Sequence, residues 1–160
     1  MDPDLRLDEQ LCFALYAASR ATTSAYRELL AELGLTYPQY LVLLALWEQD
    51  GPTVSALGAR LHLDSGTLSP LLKRMADGGL LERRRDRADE RRVTVHLTEA
   101  GTRLRERAPQ VQRRVLESAG LTPEEIATLR RLARKISAST RTTTTSTSPA
   151  PIPIPIPTEE

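Results

Sequence analysis

Apolar and small positions recur every three or four residues near the start of the chain. Leu11, Leu15, Ala18, Thr22, Ala25 and Leu29 form one stripe, uninterrupted by Gly or Pro. That period predicts a single helix over residues 8–33, stopped by Gly34. At 1.5 Å per residue it would be about 39 Å long. Such a length implies packing against more than its own core. Thr36-Tyr37-Pro38-Gln39 then restarts the chain with a capping box and a first-turn proline. Tyr40 to Trp47 is apolar on nearly every side, which predicts a central buried helix. Asp50-Gly51-Pro52 ends it.

Thr53 is placed to cap a short helix, Val54 to Leu61. After His62-Leu63, Asp64 or Ser65 caps another, which ends at Gly78-Gly79. The period then changes from helical to alternating: Val93, Val95 and Leu97 are separated by Thr94 and His96. This predicts two strands, 80–85 and 92–97, around a hairpin tip at 86–91. Thr98 opens a helix to about Ser118 with Pro109 as an internal kink. Thr122-Pro123-Glu124-Glu125 opens a last helix to about Ser139. The expected fold is mainly α, with one small β-hairpin.

From 141 the material changes. Threonine, serine and proline dominate, and Pro-Ile alternation favours polyproline II over any packed element. Residues 141–160 are expected to form a disordered tail, the alternative being a docking peptide for a partner. The organisation expected is a first helix at 1–34, a central region at 35–97, C-terminal helices at 98–140, and the tail.

Composition sharpens this picture. The 160 residues are 40% hydrophobic, enough for one domain's core. No apolar run is long enough to cross a membrane. A single cysteine excludes a disulfide framework and a thiolate zinc site. The N-terminus has no signal-peptide layout, so the cytoplasm is the expected compartment. A formal net charge of +1 hides an asymmetry. Residues 1–50 carry three basic and eight acidic side chains; residues 51–107 carry twelve and eight. A basic stretch on a near-neutral chain points to an anionic partner at one place.

Short helix, turn, second helix and basic hairpin is the order of a winged helix-turn-helix. On the helix from Ser65, Leu68, Leu71, Leu72 and Met75 fall on one face. The other presents Gly66, Thr67, Ser69, Pro70, Lys73 and Arg74. Small and hydroxyl residues at its start allow close approach to base edges, and first-turn N–H groups can meet phosphates. Lys73 and Arg74 lie within reach of the backbone. The hairpin adds Arg85 and Arg91, with Asp89 two residues before Arg91 to orient it. An arginine at such a tip can enter a minor groove. A charge run alone would read as a solvated hairpin; directly after a helix-turn-helix it reads as a DNA contact.

Asp64 to Met75, Asp89-Glu-Arg91 and Leu97-Thr-Glu-Ala-Gly101 resemble the MarR family of winged-helix repressors over about residues 5–137. The resemblance implies an obligate homodimer held by the first and last two helices. It also implies a double-stranded, pseudo-palindromic DNA operator.

Cys12 begins the long helix. A lone cysteine on an apolar helix is usually a small buried hydrophobe. Its early position, however, lies near the positive end of the helix dipole, which favours thiolate, and Tyr16 sits one turn on. Cys12-Phe13, Tyr16, Tyr26 and Thr36-Tyr37-Pro38-Gln39-Tyr40 further resemble the organic hydroperoxide resistance branch of the family. That resemblance implies a peroxide-reactive Cys12, with Tyr26 and Tyr37 of the partner subunit bonded to its sulfur and Tyr16 nearby. All four tyrosines fall in residues 16–40. Phe13, Leu15 and Trp47 are expected to give an apolar surround favouring organic hydroperoxides.

With no second cysteine, sulfenic acid at Cys12 would be captured by a low-molecular-weight thiol, by a backbone nitrogen, or by overoxidation. The alternative is a repressor released by a small phenolic ligand, with Cys12 structural. A one-cysteine peroxidase is disfavoured because no Thr-x-x-Cys precedes Cys12. His62 and His96 have no carboxylate or cysteine at ligand spacing, so no metal or cofactor is expected.

Overall fold

Thr36 begins the central helix as its pattern predicts. The Thr36 hydroxyl accepts from the Gln39 N–H, and the Gln39 side chain accepts from the Thr36 N–H at 2.8 Å. In the computed structural model, which describes residues 5–85 and 92–143, this helix spans Tyr37–Glu48. We label the elements in order: α1 Leu11–Ala31, α2 Tyr37–Glu48, α3 Val54–Leu61, α4 Ser65–Asp77, β1 Leu81–Arg85, β2 Val93–Leu97, α5 Glu99–Arg103, α6 Ala108–Ser118 and α7 Pro123–Thr143. No helix among the described residues is long and apolar enough to cross a membrane.

The chain forms two compact units, 1–119 and 120–160. In the first, α2 is the centre: Tyr40, Val42, Leu43, Ala45 and Leu46 are all buried. Leu57 of α3, Leu68, Leu71, Leu72 and Met75 of α4, and Leu81 and Val95 of the strands close around it. Each fully buried leucine of this kind contributes about 2 kcal/mol of hydrophobic stabilisation. In the second unit, Thr122 and Glu125 make the predicted capping box of α7. That helix continues through Thr143, past the residue 140 boundary expected for the tail; 144–160 lie outside the described residues.

The hairpin is antiparallel, with Leu81 opposite Leu97 and Arg85 opposite Val93. Its far edge is also used. Gly51 N–H donates to the Val95 carbonyl at 3.0 Å, Val95 N–H donates to Pro52 at 3.0 Å, and Thr53 bridges Thr94. The α2–α3 turn therefore pairs with the outer edge of β2 through a short bridge.

Two expectations need correction. The first helix does not start at residue 8: a 3-10 turn, Leu7–Glu9, precedes α1. The helix expected to run from Thr98 to Ser118 is broken, not kinked. It divides into α5, a 3-10 turn Leu104–Glu106, and α6. Pro109 has no N–H to give a carbonyl four residues back, so the α-helical ladder cannot continue through it. It occupies the first turn of α6 instead, where no donor is required.

α1 is poorly covered by its own unit. Of its 21 residues only Leu30 is buried, while Leu11 is 62% and Tyr16 53% exposed.

Candidate nucleic-acid interface and thiol site

Asp64, rather than Ser65, caps α4. Its carboxylate accepts from the Thr67 N–H at 2.8 Å and the Thr67 hydroxyl at 3.1 Å. Those bonds, the backbone one first, hold its carboxyl below the usual carboxylate range. With Leu68, Leu71, Leu72 and Met75 buried, the rest of the helix faces outward. Ser65, Gly66, Thr67, Pro70, Lys73 and Arg74 are exposed and Ser69 is half-buried. Lys73 pairs with the exposed Asp77 at 3.5 Å. Pro70 lies inside α4 and withholds one N–H from the ladder, which is tolerated on this solvent side.

Next to it, Arg83, Arg84 and Arg85 are exposed on β1. Arg84 pairs with Glu82 at 3.1 Å. Arg83 turns the other way. With Arg92, Ser65, Ser55 and Thr53 it lines an open groove of about 640 Å³ between α3, α4 and the hairpin. The sequence places Arg83 and Arg92 among the basic hairpin residues; that these two line the groove depends on strand register. Asp89 and Arg91 lie outside the described residues.

Cys12 is exposed in the first turn of α1. The Tyr16 hydroxyl accepts from Arg20 at 2.9 Å, and the Arg20 guanidinium lies 5.6 Å from the Tyr16 ring centre. Tyr26 and Tyr37 meet each other, with ring centres 4.8 Å apart, and Tyr40 joins Tyr26 at 5.7 Å. Neither the Tyr26 nor the Tyr37 hydroxyl has a hydrogen-bond partner among the described residues. Burial first, then Tyr40 and Tyr37, push the Tyr26 hydroxyl up to about 12. Burial raises Tyr37 as well. Both hydroxyls therefore keep their protons and can donate.

Within one chain Cys12 does not meet this pair. Cys12 and Tyr26 are on the same helix, fourteen residues apart, or about 21 Å along its axis. Trp47 is occupied away from the thiol. Its indole N–H donates to the Gly101 carbonyl at 3.0 Å, and its ring meets Tyr40 edge-on at 6.2 Å.

His96 has no partner at local ligand spacing but finds one through the fold. It does have a carboxylate partner: Nδ1 lies 3.1 Å from Asp50 Oδ2, from a residue forty-six positions away that no local spacing could reveal. Among the described residues no group of three or more His, Cys, Asp and Glu side chains could hold a metal ion.

Residues 24–107 match the family model described as transcriptional regulator SarA/Rot. The chain belongs to the MarR/SarA family of winged-helix transcriptional regulators. It is 47% identical over 126 residues to the organic hydroperoxide resistance transcriptional regulator of Bacillus subtilis, covering 79% of this chain and 86% of that one. It is 52% identical over 124 residues to the HTH-type transcriptional regulator TtmR of Methylorubrum extorquens, covering 78% of this chain. There it spans only 64% of the relative's length. Among solved structures, reduced AbfR bound to DNA superposes with a TM-score of 0.73 at 34% identity, over 87% of this chain and 95% of that one. AbfR is a protein of Staphylococcus epidermidis. These relatives are regulators rather than enzymes. The single cysteine of this family member is Cys12.

Proposed function

We propose that this regulator binds operator DNA as a homodimer and releases it when an organic hydroperoxide oxidises Cys12. The observation that carries the redox half is the separation just described. A thiol stands exposed at one end of α1, and two protonated tyrosine hydroxyls, with no hydrogen-bond partner among the described residues, stand toward the other. One chain cannot join them, whereas a second copy laid along α1 can. The exposed Leu11 and Tyr16 give such a copy an apolar surface to cover. Similarity to the Bacillus subtilis regulator supports organic hydroperoxide as the oxidant class.

The DNA half rests on the outward face of α4: Ser65, Gly66, Thr67, Ser69 and Pro70 at the base edges, with Lys73 and Arg74 on phosphates. Arg85, Asp89 and Arg91 serve the wing. A homodimer doubles this surface, which suits a pseudo-palindromic duplex in the cytoplasm. The DNA-bound AbfR structure supports this reading.

The chemistry balances without a cofactor. The Cys12 thiolate attacks the distal oxygen of ROOH; a sulfur–oxygen bond forms, the O–O bond breaks, and alkoxide leaves and takes a proton as ROH. Sulfur loses two electrons and the peroxide gains them. A low-molecular-weight thiol then condenses with the sulfenic acid, forming a mixed disulfide and water. Bulk at Cys12 shifts the dimer toward a geometry whose two reading heads no longer fit the operator.

The test uses a duplex operator selected from random DNA by the reduced protein. Cumene hydroperoxide plus a small thiol should release the wild type, while Cys12→Ser should stay bound. Equal release of both proteins, or of neither, would exclude the redox reading. Release by a phenolic ligand alone would favour a small-molecule effector instead.

A further inference from the structure

On the side of the hairpin that faces away from Arg83, one acidic residue ties the wing of this protein to the reading head by side-chain bonds. Asp50 Oδ1 accepts from the Leu97 N–H at 2.8 Å. Asp50 Oδ2 lies 3.1 Å from His96 Nδ1. On the other side of the ring, His96 Nε2 lies 3.0 Å from the Thr94 hydroxyl, and that hydroxyl lies 3.2 Å from the Arg84 carbonyl. The connections run from the end of α2, across β2, to the backbone of β1 beside Arg83 and Arg85. The turn between α2 and α3 supports the same contact. Gly51 adopts φ +79, and a Cβ there would lie 2.8 Å from His96 Cε1. Glycine therefore permits both the left-handed turn and the seating of the ring.

We infer that Asp50, acting through His96 and Thr94, is a positioning residue for DNA binding: it fixes the angle at which the wing meets the duplex. The inference rests on the wing reading DNA, as proposed above. A two-stranded hairpin is marginal by itself in water. The far-edge bonds from Gly51 and Pro52 hold the root of β2, and the buried Leu81, with Leu80 bonded to Met75 and Thr98, holds the root of β1; the Asp50 chain adds a side-chain link farther out, at Thr94 and the Arg84 carbonyl. A wing free to swing must be ordered when DNA binds, and that lost freedom lowers affinity. An acidic residue near a DNA-binding surface would ordinarily repel phosphate. Here its removal is predicted to weaken binding, opposite in sign to simple electrostatics.

Dimethyl sulfate separates the two contacts in one experiment, because it methylates guanine N7 in the major groove and adenine N3 in the minor groove. On the selected operator, wild type should protect both. Asp50→Ala should bind roughly tenfold more weakly, the scale of a lost charge-assisted hydrogen bond. It should lose adenine N3 protection while keeping guanine N7 protection, with unchanged melting temperature and dimerisation. Asp50→Asn should stay near wild type. Its amide oxygen still accepts from Leu97, and its NH2 can donate to Nδ1 of the other histidine tautomer, leaving Nε2–H for Thr94. His96→Leu, which keeps the Asp50–Leu97 bond, should behave like Asp50→Ala and decides the question if that variant does not fold.

Wild-type protection of both grooves in Asp50→Ala or His96→Leu overturns the inference. So does equal loss in both grooves, which would mark a general structural defect. A wild type that never protects adenine N3 overturns the wing reading itself, and the brace with it.

Discussion

Tyr26 and Tyr37 close to 4.8 Å between ring centres although one lies on α1 and the other opens α2. Both hydroxyls are protonated, and neither has a hydrogen-bond partner among the described residues. Tyr40 and Trp47 extend the aromatic contact inward, and Tyr40 donates to the Ala108 carbonyl at 3.4 Å. The rings supply packing and the hydroxyls supply donors, so the two roles can be separated by mutation. Tyr26→Phe with Tyr37→Phe keeps the rings. It should change unfolding free energy by less than about 1 kcal/mol, yet slow sulfenic acid formation at Cys12 by roughly tenfold for each of the two hydrogen bonds lost. Stopped-flow kinetics with cumene hydroperoxide measures this. An unchanged rate would remove both tyrosines from the sensor.

The raised Tyr26 hydroxyl sets a sign for alkaline stability. Its value in the folded chain is about 12 against an ordinary 10.0. Between these values the unfolded chain has released this proton while the folded one retains it. The unfolded state binds fewer protons, so stability is present below pH 10 and falls as pH rises toward 12. Denaturant unfolding followed across pH 9–11 should show the loss begin near 10, and Tyr26→Phe should flatten part of it.

Gly101 closes the wing onto α5. A Cβ at this position would overlap the Leu80 carbonyl oxygen, which is backbone and cannot rotate away. The same residue receives the Trp47 indole N–H. Gly101→Ala should destabilise the protein by about 2–4 kcal/mol. A thermal melt within one degree of wild type would contradict this close approach.

Arg85 is exposed on β1 opposite Val93. If it meets a phosphate, Arg85→Ala should weaken operator binding across sequences and reduce the slope of log affinity against log salt by about 1. An unchanged slope, read by fluorescence anisotropy over a salt series, would place Arg85 outside the interface.

The sequence alone determined what is local. Helix caps at Thr36, Thr53, Asp64, Thr98 and Thr122 act over three residues, and the buried face of α4 repeats every three or four, so both are visible in order along the chain. Pro109 announced a disturbance, but whether it kinked or broke the helix depended on how α5 and α6 packed. Tertiary structure alone decided the pairs. Asp50 with His96, Tyr26 with Tyr37, and Trp47 with Gly101 come together because separate elements bury apolar faces against α2 and carry their polar groups along. It also decided that Cys12 and Tyr26, on one helix, stay apart: a rigid rod of fixed rise per residue cannot fold back on itself.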